Sequence, residues 1–300
     1  MDDEALKATV ERMVRQYLKE PPEGTAPPDE SVQCVQSAGE MLPDLTEVDL
    51  RKHYLVKNPE NGEAFLRLKA KTPARIGLGR AGARYRTETM LRLRADHAAA
   101  QDSVFSMVPE EWVQRQGWGA VKTLCKDKDE YLTRPDKGRR FDEENAGRVK
   151  EILGERPKVA LVVGDGLSSA AIEANAPDCM QAIEAGLSAF HIPASPVLFV
   201  TYCRVGASDH IGELTGAEAV CMLVGERPGL VTAESMSAYL TYGARLGVPE
   251  SQRTVISNIH RQGTPAVEAG AHIAELIRVM LERKASGVKL AQLLREGGVR

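Results

Sequence analysis

The sequence is poor in aromatic residues and carries no excess of one charge. Phenylalanine, tryptophan and tyrosine make up 5% of the 300 residues, so the core must be built mainly from aliphatic side chains. The formal net charge is −3. This balance gives neither the basic face typical of nucleic-acid-binding proteins nor an attraction to anionic membranes. We therefore expect no nucleic acid and no membrane among the partners.

Cysteine is also scarce, and its spacing forms no motif. The five cysteines are odd in number, and no two have the C-x-x-C spacing typical of zinc and thiol–disulfide sites. Free thiols in a reducing compartment are the simplest interpretation. No apolar run reaches the roughly 18 residues that span a bilayer, and the charged N-terminus differs from a secretory signal. These absences favour a cytoplasmic protein.

Residues 1–20 have the pattern of an amphipathic helix followed by a linker. One helical stripe contains Leu6, Val10, Met13, Val14, Tyr17 and Leu18. Two prolines end this pattern, and residues 21–33 are dominated by proline, glycine and acids, as in linkers. We expect residues 1–44 to be a docking helix with a flexible linker, which buries its stripe on a partner. The alternative is a helix that packs on its own chain.

The rest of the chain divides into a helical region and an α/β region. Residues 45–110 predict a small helical domain, with helices over 45–56, 62–72 and 87–108, the last capped by Thr87. Residues 111–300 alternate apolar strands with helices. The predicted strands are 159–165, 196–205, 219–226 and 253–259, and the predicted helices are 167–187, 209–216, 234–244 and 267–286. This alternation indicates a Rossmann-like, mainly parallel sheet covered by helices on both faces.

Ligands of such sheets bind at the carboxyl ends of the strands. Those ends are Gly164-Asp165-Gly166, Arg204-Val205, Gly225-Glu226-Arg227 and Ser257-Asn258. A charged pair that directly follows an apolar strand, as Glu226 and Arg227 do, suggests a site, although a surface ion pair would give the same pattern. Asn258 and the nearby His260 add amide and imidazole groups that can form hydrogen bonds.

Two glycine-rich runs invite a nucleotide interpretation. Residues 77–82 form a formal G-x-G-x-x-G, but no apolar strand precedes them, so a tight turn is the better interpretation. The amides of GDGLSSAAI (164–172) could hold a phosphate at a helix N-terminus, or the run could be a structural turn in which Asp165 accepts hydrogen bonds from a loop. The histidines lack metal-ligand spacing, and no G-x-S-x-G or catalytic triad can be nominated. We assign no catalytic and no metal-binding residue.

Nine runs, in order along nearly the whole chain, together resemble one family. They are GRAGARYRT (79–87), ADH (95–97), VPEEWVQRQG (108–117), YLTRPDKGRR (131–140), GDGLSSAAI (164–172), RV with IGE (204–213), LVGERPGL (223–230), SNIH-x-QGTP (257–265) and MLERKASG (280–287). With these runs the chain resembles the small subunit, or light chain, of ethanolamine ammonia-lyase.

The resemblance implies a function and a site. It implies that the protein is a non-catalytic subunit of a lyase complex that converts ethanolamine to acetaldehyde and ammonia with adenosylcobalamin. The small subunit then clasps the cofactor against the large catalytic subunit. The cofactor positions of the family map onto Val205, Glu226 and Val255. In the family, cysteine can stand at the position of Val255. A contact between the cofactor and the main chain would be unaffected by valine at this position, whereas a contact with the cysteine side chain would be lost.

Two further expectations accompany the resemblance, and two alternatives to it remain. The stripe of residues 1–20 resembles helices that target such enzymes to a bacterial microcompartment, which implies a shell as a second partner. No histidine has the Asp-x-His-x-x-Gly context of a cobalt ligand, since Asp209 and His210 lack the spacer. The remaining alternatives are a nucleotide-binding Rossmann-like protein that uses residues 77–82 and a scaffold protein without a cofactor.

Overall fold

The computed structural model describes residues 44–296, and the predicted N-terminal helix and linker lie outside this range. The helices of this range are α1 (Gly62–Ala70), α2 (Thr87–Phe105), α3 (Glu110–Arg115), α4 (Lys128–Thr133), α5 (Glu143–Leu153), α6 (Ser169–Ala189), α7 (Ala207–Thr215), α8 (Ala266–Arg283) and α9 (Gly287–Glu296). The strands are β1 (Arg80–Ala81), β2 (Arg84–Tyr85), β3 (Gly119–Lys122), β4 (Val159–Gly164), β5 (Ala194–Thr201), β6 (Ala219–Gly225), β7 (Met236–Tyr242) and β8 (Arg253–Ile259).

Six strands form one mostly parallel sheet in the order β3-β5-β4-β6-β7-β8. The first four of these are parallel, whereas β7 is antiparallel to both β6 and β8. Strand β8 therefore runs in the direction of β6, and the carboxyl ends of β4, β6 and β8 lie at the same edge. The prediction of an α/β protein with a mainly parallel sheet is confirmed.

The central strands are buried because helices cover both faces of the sheet. All six residues of β4 are buried. Leu161 and Val163 pack in the cluster that contains α6 and α8, whereas Ala160 and Val162 pack in the cluster that contains α5 and α7. A strand buried on both sides needs a continuous apolar run rather than an alternating one. This explains why the sequence predicted β4 and β6 correctly.

The predicted helix at 234–244 is wrong, because these residues form β7. Met236, Ala238 and Leu240 face the core cluster beside α6 and α8, while the residues between them face the other side. Alanine, methionine and leucine are common in helices, and this composition concealed a period of two. The antiparallel pairing with β6 and β8 on either side holds the segment as a strand.

The helical region is less regular than predicted. The helices at 62–72 and 87–108 are confirmed as α1 and α2, although the N-cap of α2 is Arg86 rather than Thr87. The predicted helix at 45–56 is wrong. Two short 3-10 turns stand there, and Asp49 accepts a hydrogen bond from the Arg51 amide, which starts the second turn and interrupts a longer helix.

The described residues from Leu45 onward belong to one compact unit, so the predicted boundary near residue 110 stays a prediction.

Candidate functional site

The crevice between the ends of β4 and β6 is closed by the chain itself. The Leu167 amide donates to the Gly225 carbonyl at 3.0 Å, and a side chain on Gly225 would collide with the Ser168 carbonyl. Ser168 caps α6 by accepting a hydrogen bond from the Ala171 amide. With these amides engaged, residues 164–172 form a structural turn rather than a phosphate cradle.

Asp165 fixes this turn to the helical region. Its carboxylate accepts hydrogen bonds from the Val108 amide at 3.1 Å and from the Ser169 hydroxyl at 2.8 Å, which confirms the predicted role as an acceptor for a loop. The nearby Lys128 ammonium donates to the Gly166 carbonyl at 3.3 Å. Burial raises the pKa of Asp165, and the Lys128 charge partly opposes that rise. The buried carboxylate therefore joins the loop at Val108 to the end of β4.

Replacement of this carboxylate is expected to destabilise the fold. Asp165→Ala leaves the buried Val108 amide without an acceptor and removes the negative charge beside Lys128, although the Ser169 hydroxyl keeps the Ser106 carbonyl as an acceptor. The loss should cost about 2–4 kcal/mol of unfolding free energy. Urea denaturation followed by far-UV circular dichroism measures the loss. Asp178→Ala, at an exposed aspartate of α6, is the matched control and should change the free energy by less than about 0.5 kcal/mol. Equal effects of the two variants would contradict the role of Asp165.

Glu226 lies just beyond β6 and is held at one of its two carboxylate oxygens. Its amide donates to the Ser235 carbonyl at 3.0 Å, and its Oε1 accepts from the Tyr239 hydroxyl at 2.6 Å. Within residues 44–296, no hydrogen bond or ion pair uses Oε2 of Glu226, and Arg227 is exposed and makes no ion pair with it. The interpretation of Glu226 and Arg227 as a surface ion pair is wrong, and Glu226 keeps a free acceptor.

Val255 lies in the middle of β8, the outermost strand on one side of the sheet, and not at the carboxyl end of that strand. It stands opposite Tyr239 in the antiparallel ladder, so both side chains point to the same face. Met222 of β6 stands opposite Tyr239 in turn and is buried in the cluster beside α7. Val255 is nevertheless 47% exposed. The sheet face beyond α7 is therefore open at β8, and the Glu226 carboxylate borders this open face through Tyr239.

Val205 lies in the loop that enters α7 and is half-buried. Its carbonyl accepts hydrogen bonds from both the amide and the hydroxyl of Ser208, at 3.1 and 2.7 Å. The Ser208 hydroxyl oxygen in turn accepts from Nη1 of Arg253 at 3.2 Å. Arg253 precedes Val255 by two residues on the same strand and therefore points to the same face. A chain of contacts thus joins all three positions that the resemblance identified.

A buried ion pair fixes α7 to β8. Arg253 donates to both carboxylate oxygens of Asp209, at 2.8 and 2.7 Å, and only 1% of its side chain is exposed. Hydrogen bonds to Asp209 and Glu250 raise the pKa of the Arg253 guanidinium, so it stays charged. Such a forked pair is geometrically demanding. It sets where the loop of Val205 stands relative to Val255.

His260 shapes the loop after β8. Its Nδ1 accepts from the Gln262 amide at 3.2 Å, so the ring proton lies on Nε2, which is 2.7 Å from the Asn258 side-chain oxygen. Asn258 has a φ of 64°, which places it in the left-handed region. Both ring nitrogens of His260 are thus engaged in the loop. Across the described range, no group of three His, Cys, Asp or Glu side chains could hold a metal ion.

Gly82 lies in the turn of a small hairpin formed by β1 and β2, and Gly77 and Gly79 directly precede this hairpin. The Leu55 amide donates to the Gly77 carbonyl, and the Arg86 amide donates to the Gly79 carbonyl. No strand of the large sheet leads into the run, and no helix opens directly after it. The tight-turn interpretation is confirmed, and a dinucleotide fingerprint is not formed. None of the described helices has the length and apolar character needed to cross a bilayer.

Sequence reasoning missed Tyr239, Asp209 and Arg253 as parts of this site. Tyr239 fell in the segment predicted as a helix, and the ion pair joins residues 44 positions apart. A count of period-two alternation over residues 236–242 would have found the strand and the face of Tyr239. No local pattern would have found the ion pair, because it forms only when α7 packs beside β8.

Known proteins resemble the chain over almost all of its length. The family model described as "Ethanolamine ammonia-lyase light chain (EutC)" matches residues 62–291. The chain is 58% identical over 292 residues to a protein of Clostridioides difficile (strain 630) named ethanolamine ammonia-lyase small subunit. This alignment covers 97% of this chain and 100% of the relative. A protein of the same name from Lachnoclostridium phytofermentans is 57% identical over 299 residues, and the alignment covers 97% of this chain and 99% of the relative. Another from Listeria monocytogenes serotype 4a is 56% identical over 265 residues, and the alignment covers 88% of this chain and 90% of the relative.

Proposed function

Since the chain belongs to the ethanolamine ammonia-lyase light-chain family, we propose that it holds one side of adenosylcobalamin against a large catalytic subunit. The enzyme formed by the two subunits converts ethanolamine to acetaldehyde and ammonia. One observation carries the proposal: the family match spans residues 62–291 and so contains all three candidate positions. They lie around one sheet face that the described residues leave open at Val255.

The open face fits a corrinoid chemically. The rim of a cobalamin carries carboxamide groups, and each can donate a hydrogen bond to a carboxylate oxygen. Oε2 of Glu226 is an acceptor without a partner among the described residues, and Val255 offers an exposed apolar surface beside Tyr239. When bound, the cofactor supplies the radical chemistry of the reaction. The residues of this chain bind it, orient it and exclude water from it.

Each of the three positions has a separate part in this proposal. Glu226 accepts a hydrogen bond from a carboxamide. The carbonyl of Val205 is occupied by Ser208, but within residues 44–296 no hydrogen bond uses its amide, which is therefore available as a donor. Val255 contacts the cofactor through its exposed side or its main chain. A main-chain contact is consistent with a valine where the family can have cysteine.

The sheet also supports the Rossmann-like description that we propose for this region. Strand β4 connects to β5 through α6, and β5 then connects to β6 on the other side of β4 through α7. Helices α6 and α7 lie in the clusters on opposite faces of the sheet. A reversal of this kind is a topological switch point. Here the crevice at that point is closed by the turn of residues 164–172, and Glu226 lies just beyond it.

Binding experiments with the two subunits distinguish this function from the alternatives. The purified chain is titrated with adenosylcobalamin and with NAD, in the presence and absence of the large subunit. Retention of adenosylcobalamin by the mixed complex, well above that of either subunit alone, is the expected result. Binding of NAD by this chain alone would favour a nucleotide-binding protein, and retention of neither ligand would favour a scaffold.

We also propose that residues 1–20 direct the enzyme to a microcompartment shell in the cytoplasm, without taking part in the reaction. Deletion of residues 1–20 is expected to leave acetaldehyde production by the complex unchanged and to alter only its solubility or location. Specific activity and co-sedimentation with shells measure the two properties on the same preparation. Loss of acetaldehyde production after this deletion would contradict the targeting role and would show that the segment is needed for the activity of the enzyme.

A further inference from the structure

We propose that Tyr239 is a positioning residue for cobalamin, because its hydroxyl fixes the Glu226 carboxylate so that one oxygen remains available to the cofactor. This inference rests on the proposed function and assigns a role to a residue outside the three family positions. Tyr239 contacts Glu226 through a 2.6 Å hydrogen bond and stands opposite Val255 in the sheet. It is therefore the residue that connects two of those positions.

The main chain at Glu226 is already fixed by the fold, so only the conformation of its side chain has still to be ordered for binding. The Glu226 amide is held by the Ser235 carbonyl across the turn between β6 and β7. A glutamate side chain still has three rotatable bonds, and ordering such a side chain on binding costs conformational entropy. The Tyr239 hydroxyl orders it before the cofactor arrives. Binding should then be tighter than with a mobile carboxylate.

Tyr239 is well suited to a permanent donor role. The ring belongs to a central strand of the sheet, where β6 and β8 flank it on either side. Burial raises the pKa of the phenol, and the hydrogen bond to Glu226 raises it further, with Glu250 adding to the rise and Arg253 opposing it. The hydroxyl consequently keeps its proton throughout the neutral range, and the bond to Glu226 persists there.

Four variants of the full chain, assembled with the large subunit, test the role of Tyr239. The dissociation constant for adenosylcobalamin is measured by equilibrium dialysis for Glu226→Ala, Tyr239→Phe, the double variant and Tyr242→Phe. The last is a matched control, because Tyr242 is a half-buried tyrosine at the end of the same strand whose ring packs on the opposite face. Thermal unfolding of each variant is recorded in parallel.

Tyr239→Phe is expected to weaken cofactor binding about tenfold, the size of one hydrogen bond to a charged group. Since Tyr239 acts through Glu226, the double variant should bind no more weakly than Glu226→Ala alone. Tyr242→Phe should bind like the unmodified complex. A purely structural role would lower the unfolding temperature of Tyr239→Phe and would not disappear in the Glu226→Ala background.

Two results would overturn the inference and leave the proposed function intact. One is a Tyr239→Phe complex that binds normally while Glu226→Ala binds weakly. The other is a full tenfold loss from Tyr239→Phe on top of Glu226→Ala, which would mean that the tyrosine acts independently. Normal binding by Glu226→Ala would be a different failure, since it would remove Glu226 from the proposed site itself.

Discussion

Asp209→Ala is expected to lower the free energy of unfolding by about 3–5 kcal/mol, because it leaves Arg253 as a buried charge without its forked partner. Arg253 is 1% exposed at its side chain, and both guanidinium Nη atoms bond to Asp209. The remaining carboxylate, Glu250, is itself largely exposed and can compensate only in part. Chemical denaturation with urea gives the free energy directly.

An exposed ion pair on α8 provides the control for this prediction. Glu282→Ala removes the partner of Arg278, with which it forms a similar 2.6 Å contact at the surface. Surface pairs of this kind contribute about 0.3–0.5 kcal/mol. The two variants should therefore differ by several kcal/mol. If Asp209→Ala is no more harmful than Glu282→Ala, the pair does not fix α7 to β8 and the support of Val205 must be sought elsewhere.

Glu226→Ala is expected to weaken the retention of adenosylcobalamin by the two-subunit complex about 10- to 150-fold, without unfolding this chain. The range corresponds to the loss of one hydrogen bond to a charged group, about 1.5–3 kcal/mol. Glu226 lies beyond the end of β6, is half-buried and belongs to neither large apolar cluster of the core. Its removal should leave the circular dichroism spectrum and the unfolding midpoint nearly unchanged. Equilibrium dialysis at limiting cofactor measures the loss.

The matched control lies in the same turn between β6 and β7. Glu234 is exposed, and its side chain makes no hydrogen bond or ion pair in the described part of the chain. Glu234→Ala removes an identical charge a few residues away and should bind the cofactor normally. Equal weakening by both variants would point to the overall charge of the turn rather than to a hydrogen bond from Glu226. Normal retention by Glu226→Ala would remove this residue from the site.

The sequence predicted those elements whose residues are buried on both sides. Strands β4 and β6 are uninterrupted apolar runs, and helix α6 follows a serine that caps it through its own side chain. Helices α4 and α5 were missed, although Asp127 and Asp142 cap them in the same way. Strand β3 was missed because four residues at the edge of a sheet show too little alternation to be recognised.

The candidate site could be predicted only in part, for a similar reason. Glu226 was conspicuous because a charge directly follows a buried strand. Val255 is inconspicuous as an exposed valine in a strand, and only the family resemblance identified it. Tyr239 and the Asp209–Arg253 pair depend on which strands and helices become neighbours. Long-range pairing of this kind is decided by the packing of the whole unit, which no local pattern contains.

Amide hydrogen exchange of the two-subunit complex, with and without adenosylcobalamin, tests most directly whether this sheet face receives the cofactor. The expected result is slower exchange in the peptides that contain Val205 and Val255 when the cofactor is bound, and no change in the hairpin of residues 80–85. Slower exchange in that hairpin, with residues 204–208 and 253–259 unaffected, would contradict the proposed site.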